Sequence, residues 1–166
     1  MPILRLVFAA LAFLALTPAA VNAAEVTLNY QAVMHVAKSE SLPVLDNKKH
    51  LMGVGAFRGI AILPDGQLAQ HQYDGWFDLA EGSGPFHGYA RWLFSDGSTL
   101  SARYSGAVKA NTKDDAEVSA TFSEFSGTGR FQDASGQGSF AGRRFEAINK
   151  GGTTYLKGAL TLQTGN

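Results

Sequence analysis

The sequence holds no cysteine and only five prolines. Beyond its first two dozen residues it has almost no stretch in which apolar residues recur at helical spacing. Without cysteine there is no disulfide, no thiol nucleophile, no thiolate metal ligand and no lipid-modified cysteine at a cleavage site. A basic excess is missing as well: 14 Lys plus Arg balance 14 Asp plus Glu, which argues against a nucleic-acid binder, since such proteins neutralise phosphates with surplus positive charge. Asn29, Asn111 and Asn149 each lack a Ser or Thr two residues on, so none is a glycosylation acceptor.

Long apolar runs are confined to the N-terminus. Arg5, the uncharged run Leu6 to Leu16 and the small side chains of Val21-Asn22-Ala23 form the pattern of a signal peptide cleaved after Ala23. The run is shorter than the roughly 20 residues a membrane-spanning helix needs, and no second one follows. Residues 1–23 are therefore expected to be a signal peptide and 24–166 a single domain, periplasmic or secreted and without a membrane span. The absent cysteines and glycosylation acceptors fit the bacterial periplasm better than a eukaryotic secretory route. Cleavage removes Arg5 alone among the charged residues, so 13 basic side chains face 14 acidic ones, a net charge of about −1.

What the chain has in abundance is glycine and aromatic residues: 19 Gly, 11 Phe, 5 Tyr and 2 Trp, set among runs of Val and Thr. Such runs, bounded by turn residues, read as strands. Eight are expected: Glu25 to Lys38, Met52 to Ile62, Gln67 to Ala80, Phe86 to Ser95, Thr99 to Lys109, Glu117 to Phe125, Gly138 to Ala147 and Thr154 to Gln163. Leu63-Pro64-Asp65-Gly66, Ser95-Asp96-Gly97-Ser98 and Asn149-Lys150-Gly151-Gly152 supply hairpin turns. Strands of about ten residues joined mostly by hairpins predict an up-and-down antiparallel barrel. Ser39 to His50, the one long polar connection, is expected to be a mobile flap over a barrel mouth.

Alternation assigns the faces. Aligning the central hairpins so that Phe94 faces Leu100, Ala90 faces Tyr104 and Asp74 faces Arg91 puts Tyr73, Phe77, Leu79, Trp92 and Tyr104 on one apolar side. Asp74, Asp78, His87, Arg91, Ser101, Arg103 and Ser105 fall on the other side. Asp74 with Arg91 and Arg103 is the best charge constellation; on a sheet exterior it is a solvated ion-pair ladder, and on an interior it would orient an anion. His35, His50, His71 and His87 lack the close spacing of a zinc site, and no metal or cofactor is expected. Ser83 in Gly82-Ser83-Gly84 sits between antiparallel strands rather than on a strand-to-helix elbow, so it reads as a turn. Gly127-Thr128-Gly129-Arg130 has neither the Gly-Lys-Ser/Thr ending nor the helix of a phosphate loop.

The run Gly127-Thr128-Gly129-Arg130-Phe131-Gln132-Asp133-Ala134-Ser135-Gly136-Gln137-Gly138 resembles the glycine-rich segment of allene oxide cyclase-like and dirigent-like barrel proteins. Two further pieces are similar to bacterial members: Gly88-Tyr89-Ala90-Arg91-Trp92 with Phe94-Ser95-Asp96-Gly97-Ser98-Thr99-Leu100, and Gly138-Ser139-Phe140-Ala141-Gly142-Arg143-Arg144-Phe145. The resemblance covers about Phe57 to Leu162 and implies an eight-stranded antiparallel barrel of calycin type with a ligand-sized cavity, often a dimer or trimer. The early Tyr-x-His-Asp pattern of dirigent proteins is absent, since Tyr30-Gln31-Ala32-Val33-Met34-His35 offers no acid there, and no catalytic residue carries over. The expected function is binding of a small, mainly apolar molecule, oxylipin- or phenolic-like, in the lumen, with Tyr73, Phe77, Trp92 and Tyr104 lining the site. An isomerase or cyclase helped by Asp74, Arg91 and Arg103, and a non-catalytic envelope interaction protein, are the alternatives. A lumen below about 300 Å³ would leave little room for a typical ligand.

Overall fold

In the computed structural model of the chain, residues 24–165 are described; the expected signal peptide lies outside them. Eight strands run in chain order: β1 Ala24–Val44, β2 Asn47–Ile62, β3 Leu68–Ala80, β4 Gly84–Phe94, β5 Thr99–Ala110, β6 Ala116–Thr128, β7 Ser135–Arg144 and β8 Thr154–Thr164. Each pairs antiparallel with its sequence neighbour, and β1 closes on β8 from Ala24 opposite Thr164 to Met34 opposite Thr154. The all-β, eight-stranded antiparallel barrel expected from the sequence is what forms. Among the described residues no helix is long and apolar enough to cross a membrane.

Alternation puts one row of every strand inside. On β5, Leu100, Ala102, Tyr104 and Val108 are buried while Arg103, Ser105 and Lys109 stand in solvent. The same two-residue period buries Leu28, Tyr30, Ala32 and Met34 on β1, and Leu156, Leu160 and Leu162 on β8. Interior crowding is relieved by glycine where a ring crosses a neighbouring strand. A Cβ on Gly158 would stand 2.2 Å from the Tyr30 ring, and one on Gly75 would stand 2.2 Å from the Tyr104 hydroxyl.

Two sequence expectations are corrected. The central hairpins are out of register by two residues: Trp92 faces Leu100, Gly88 faces Tyr104, and Asp74 faces Tyr89 rather than Arg91. In the β4–β5 hairpin the cause is the tight turn Ser95-Asp96-Gly97, closed by Phe94 N–H donating to Ser98 O at 3.0 Å, with Gly97 at φ 81°; in the β3–β4 hairpin it is the two-residue turn Glu81-Gly82, across which Ala80 pairs with Ser83. A slip of two preserves every residue's face, so hydrophobic patterning cannot detect it. The second correction concerns Ser39 to His50, which is no loop. β1 continues to Val44 and turns through Leu45-Asp46, at φ 48° and 62°, straight into β2. Residues 48–50 have no partner on β1, because pairing jumps from Val44 with Asn47 to Pro43 with Leu51. This bulge displaces the lysines there from the ladder.

β6 and β7 lie about three residues from their expected ends. The chain between them makes a 3-10 turn, Gly129–Phe131, whose Phe131 side chain enters the interior at 1 % exposure. Phe145 to Ala147, expected to end a strand, instead begin the β7–β8 loop around a second 3-10 turn, Ile148–Lys150.

Candidate functional site

The barrel interior divides along its axis. At one end lie the β2–β3, β4–β5 and β6–β7 connections, and here side chains fill the space. Trp92 and Leu100 are fully buried, Phe131 inserts from the 3-10 turn, and its ring lies 4.9 Å from Phe94. The Arg130 guanidinium covers both rings, 4.5 Å above Phe94 and 5.1 Å above Phe131, and closes that end against water.

Mid-barrel sits an aromatic cluster that includes a residue the sequence reading did not nominate. His71 is fully buried and stacked on Trp92 with centroids 4.5 Å apart; Tyr73 meets it edge-on at the same distance. The His71 Nδ1–H donates to the Arg91 carbonyl at 3.1 Å, which leaves Nε2 as an acceptor without a partner among the described residues. Burial pushes this imidazole down to about pKa 3, and the carbonyl bond offsets only part of that, so the ring is neutral at ordinary pH. Tyr30 and Tyr73 share a hydroxyl hydrogen bond at 3.2 Å, and burial raises the pKa of Tyr30, Tyr73 and Tyr104, so all three remain phenols. The signal for His71 was available: it is two residues from Tyr73 and therefore shares its inward row.

Toward the other end the filling stops. A cavity of about 90 Å³ opens there, and its wall includes Phe57, Tyr73, Phe77, Phe86, Tyr104 and Phe140. The β1–β2, β3–β4, β5–β6 and β7–β8 connections surround its mouth. A wider vestibule of about 920 Å³ shares Phe77, Leu79, Arg144 and Ile148 with this cup and carries Lys48, Lys49 and Lys113 on its edge. Arg144, at the end of β7, is the polar exception in the cup wall. It is 7 % exposed, and its Nε has no hydrogen-bond partner among the described residues. Burial lowers its pKa and the Asp115 carboxylate acts in the opposite direction, yet a guanidinium stays charged under any physiological condition.

Of the residues expected to line a site, Tyr73, Phe77 and Tyr104 border the cup, whereas Trp92 lies below it in the filled section. Asp74, Arg91 and Arg103 project outward. Asp74 pairs with Arg58 at 2.8 Å and Arg103 with Glu124 at 3.2 Å, so the three do not form one constellation. The register shift is the reason: it replaces Arg91 opposite Asp74 with Tyr89. The histidines are likewise dispersed, His50 on Asp78, His87 beside Trp76, and His35 bonded to Thr153 at 3.2 Å. Ser83 occupies the β3–β4 turn, where its hydroxyl accepts from Ala110 N–H at 3.0 Å.

Fold and site together define a closed, up-and-down antiparallel β-barrel with one sealed end and one cupped, cation-edged end. The chain is similar to the solved structure of a pterocarpan synthase dirigent protein, with a TM-score of 0.48 and 15% identity, over 95% of this chain and 100% of that one. No family model matches the chain, and no curated protein does either.

Proposed function

We propose that this is an exported barrel of the dirigent-like or allene oxide cyclase-like kind that binds a small, mainly apolar molecule at its open end. The observation that supports this reading is the contrast between a sealed half and a half where aromatic and aliphatic walls meet solvent through a cup. A concave apolar pocket with a few convergent polar groups is the kind of surface that takes a small ligand. The cup of about 90 Å³ is well below the volume that encloses a whole ligand, so the bound molecule places only its apolar end inside and leaves the rest in the vestibule. Export rests on Arg5, the run Leu6 to Leu16 and the small residues up to Ala23.

The test is calorimetric titration with 4-phenylbutan-1-ol, which presents one ring on a flexible stem. Saturable binding is expected for the natural chain and not for Val118→Phe, which fills the cup from its wall. Equal heats from the two proteins, or none from either across a panel of such alcohols, would overturn the reading. Mass measurement of protein recovered from the periplasm checks export, the expected N-terminus being Ala24.

A second reading, an isomerase or cyclase that confines its substrate, is favoured by one feature. The Tyr73 and Tyr104 side chains and the Arg144 guanidinium border the same apolar cup, where neutral phenols and a cation can steer a reactive molecule by shape and hydrogen bonding. Conversion of a bound oxylipin or phenolic by the purified protein, lost in Tyr104→Phe, distinguishes it from simple binding.

A further inference from the structure

We infer that the molecule held at the open end is an amphipathic anion, its apolar end in the cup and a carboxylate-type head on Arg144 beneath the lysines of the vestibule. The inference rests on the proposed binding site and specifies the chemistry of its ligand. Three observations converge on it. Arg144 is 93 % withdrawn from solvent by its 7 % exposure, borders cup and vestibule at once, and has an Nε–H with no acceptor among the described residues. A buried guanidinium short of acceptors is costly, and an anion in the vestibule would offset that cost at the guanidinium's accessible edge.

The protein's own acids do not fill that role. Asp115, whose charge is felt at Arg144, already accepts from Arg143 Nη2 at 2.9 Å and from Asn111 Nδ2 at 3.2 Å. Glu81 on the vestibule edge is paired with Lys49 at 3.2 Å, and Asp114 with Lys150 at 3.3 Å. Lys48 and Lys113 form no ion pair among the described residues. Unpaired positive charge therefore collects above an apolar cup in a chain whose formal net charge is zero. The bulge at residues 48–50 helps to produce this, because it takes the Lys48 and Lys49 backbone out of the β1 ladder at the mouth.

Such a site discriminates by head group. A guanidinium can bind a carboxylate through two parallel N–H bonds, whereas an alcohol offers one neutral acceptor and an ammonium is repelled. The experiment compares three probes with one apolar body, 4-phenylbutanoate, 4-phenylbutan-1-ol and 4-phenylbutylamine, by calorimetry on the full mature chain. The acid should bind roughly tenfold or more tightly than the alcohol, and the amine weakest of the three. Arg144→Met should weaken the acid at least about tenfold more than it weakens the alcohol, since Met keeps the apolar stem but offers no cation. Lys48→Ser with Lys113→Ser, two exposed positions that cannot disturb the core, should weaken the acid alone and flatten its salt dependence. If acid and alcohol bind equally and neither variant separates them, the head-group inference falls while the binding site stands. If no probe binds at all, both fall together.

Discussion

The sealed and the open end of the barrel are built from the same strands but from different turn chemistry. At the sealed end, Pro64-Asp65-Gly66 and Ser95-Asp96-Gly97 make matching three-residue turns. Each glycine is at positive φ, 84° and 81°, and each aspartate accepts the backbone N–H two residues on, at 3.0 and 2.9 Å. At the open end the turn residues include Leu45, Asp46 and Glu81, all non-glycine residues at positive φ, and the β7–β8 loop spans Phe145 to Thr153. The third sealed-end connection, β6–β7, is longer and also carries a non-glycine residue at positive φ, Asp133 at 55°, but it sends Phe131 inward, so the interior there is packed; at the open end no connection does this, and the cup wall includes Arg144, whose Nε has no partner among the described residues. Backbone strain of this kind is tolerated where the surrounding structure over-determines it and often accompanies function. The difference gives stability to one end and, on the function proposed above, binding to the other.

The strongest way to break this division is to truncate one large side chain at each end. Trp92→Ala should cost about 3–5 kcal/mol, because the indole is fully buried among His71, Tyr30 and Phe122 and its removal leaves a cavity in rigid surroundings. Phe77→Ala on the cup wall should cost only about 1–2 kcal/mol, since the ring already borders open space. Urea denaturation of the two variants is the measurement. Equal losses would mean that the ends do not differ in mechanical role.

Acid sharpens the comparison next. His71 in the folded barrel holds a pKa of about 3, against about 6.5 in the unfolded chain. The unfolded state therefore binds the extra proton between those values, so stability is full above pH 6.5 and declines as pH falls toward 3. Between pH 6.5 and 5, before most carboxylates titrate, the loss from this residue should be about 2 kcal/mol. His71→Phe keeps a ring against Trp92 and removes the titration, so its unfolding free energy should be flatter over that window. An equal slope in both proteins would place the acid sensitivity elsewhere.

A smaller effect is expected at the lid of the sealed end. Arg130→Ala removes the cation above Phe94 and Phe131 and should cost about 1 kcal/mol, with hydrogen exchange quickening at Phe131 and Gln132. No change in exchange would show that the rings seal the end unaided.

Fold class was legible because its determinants are local. Period-two alternation set the strands, the two Asp-Gly turns set the sealed-end hairpins, and the glycine-rich run Gly127 to Gly138 set the bend that carries Phe131 inward. The site was legible only by row. Tyr73, Phe77 and Tyr104 came out inward from parity, and Asp74, Arg91 and Arg103 outward. Parity does not fix height along the axis, so Trp92 could not be separated from the residues of the cup, nor Asp74 from Arg91. Arg144 was hidden for another reason: it shares the row of Phe140, but Phe145 makes the opposite row apolar too while the strand is expected to run on to Ala147, so parity points both ways at Arg143-Arg144. In the structure Arg143 pairs outside with Asp115 and its neighbour is buried.

The smallest effect concerns the hairpin that the sequence concealed. Leu45-Asp46 adopts the two-residue geometry with both central residues at positive φ, a geometry for which Asn-Gly is the favoured pair, and Leu45 is 95% exposed and packs on nothing that would compensate. That mismatch is why Ser39 to His50 reads as a loop. Pairing of Ser39 through Pro43 with Leu51 through Gly55 holds the hairpin despite its turn. Leu45→Asn with Asp46→Gly should therefore stabilise the barrel by about 0.5 kcal/mol, seen as a slightly raised Tm. It should also slow exchange of the Val44 and Asn47 amides while leaving the cup unchanged. A lowered Tm would mean that strain at this turn is relieved by contacts at the open end, and the separation between a stabilising end and a binding end would fail where its margin is narrowest.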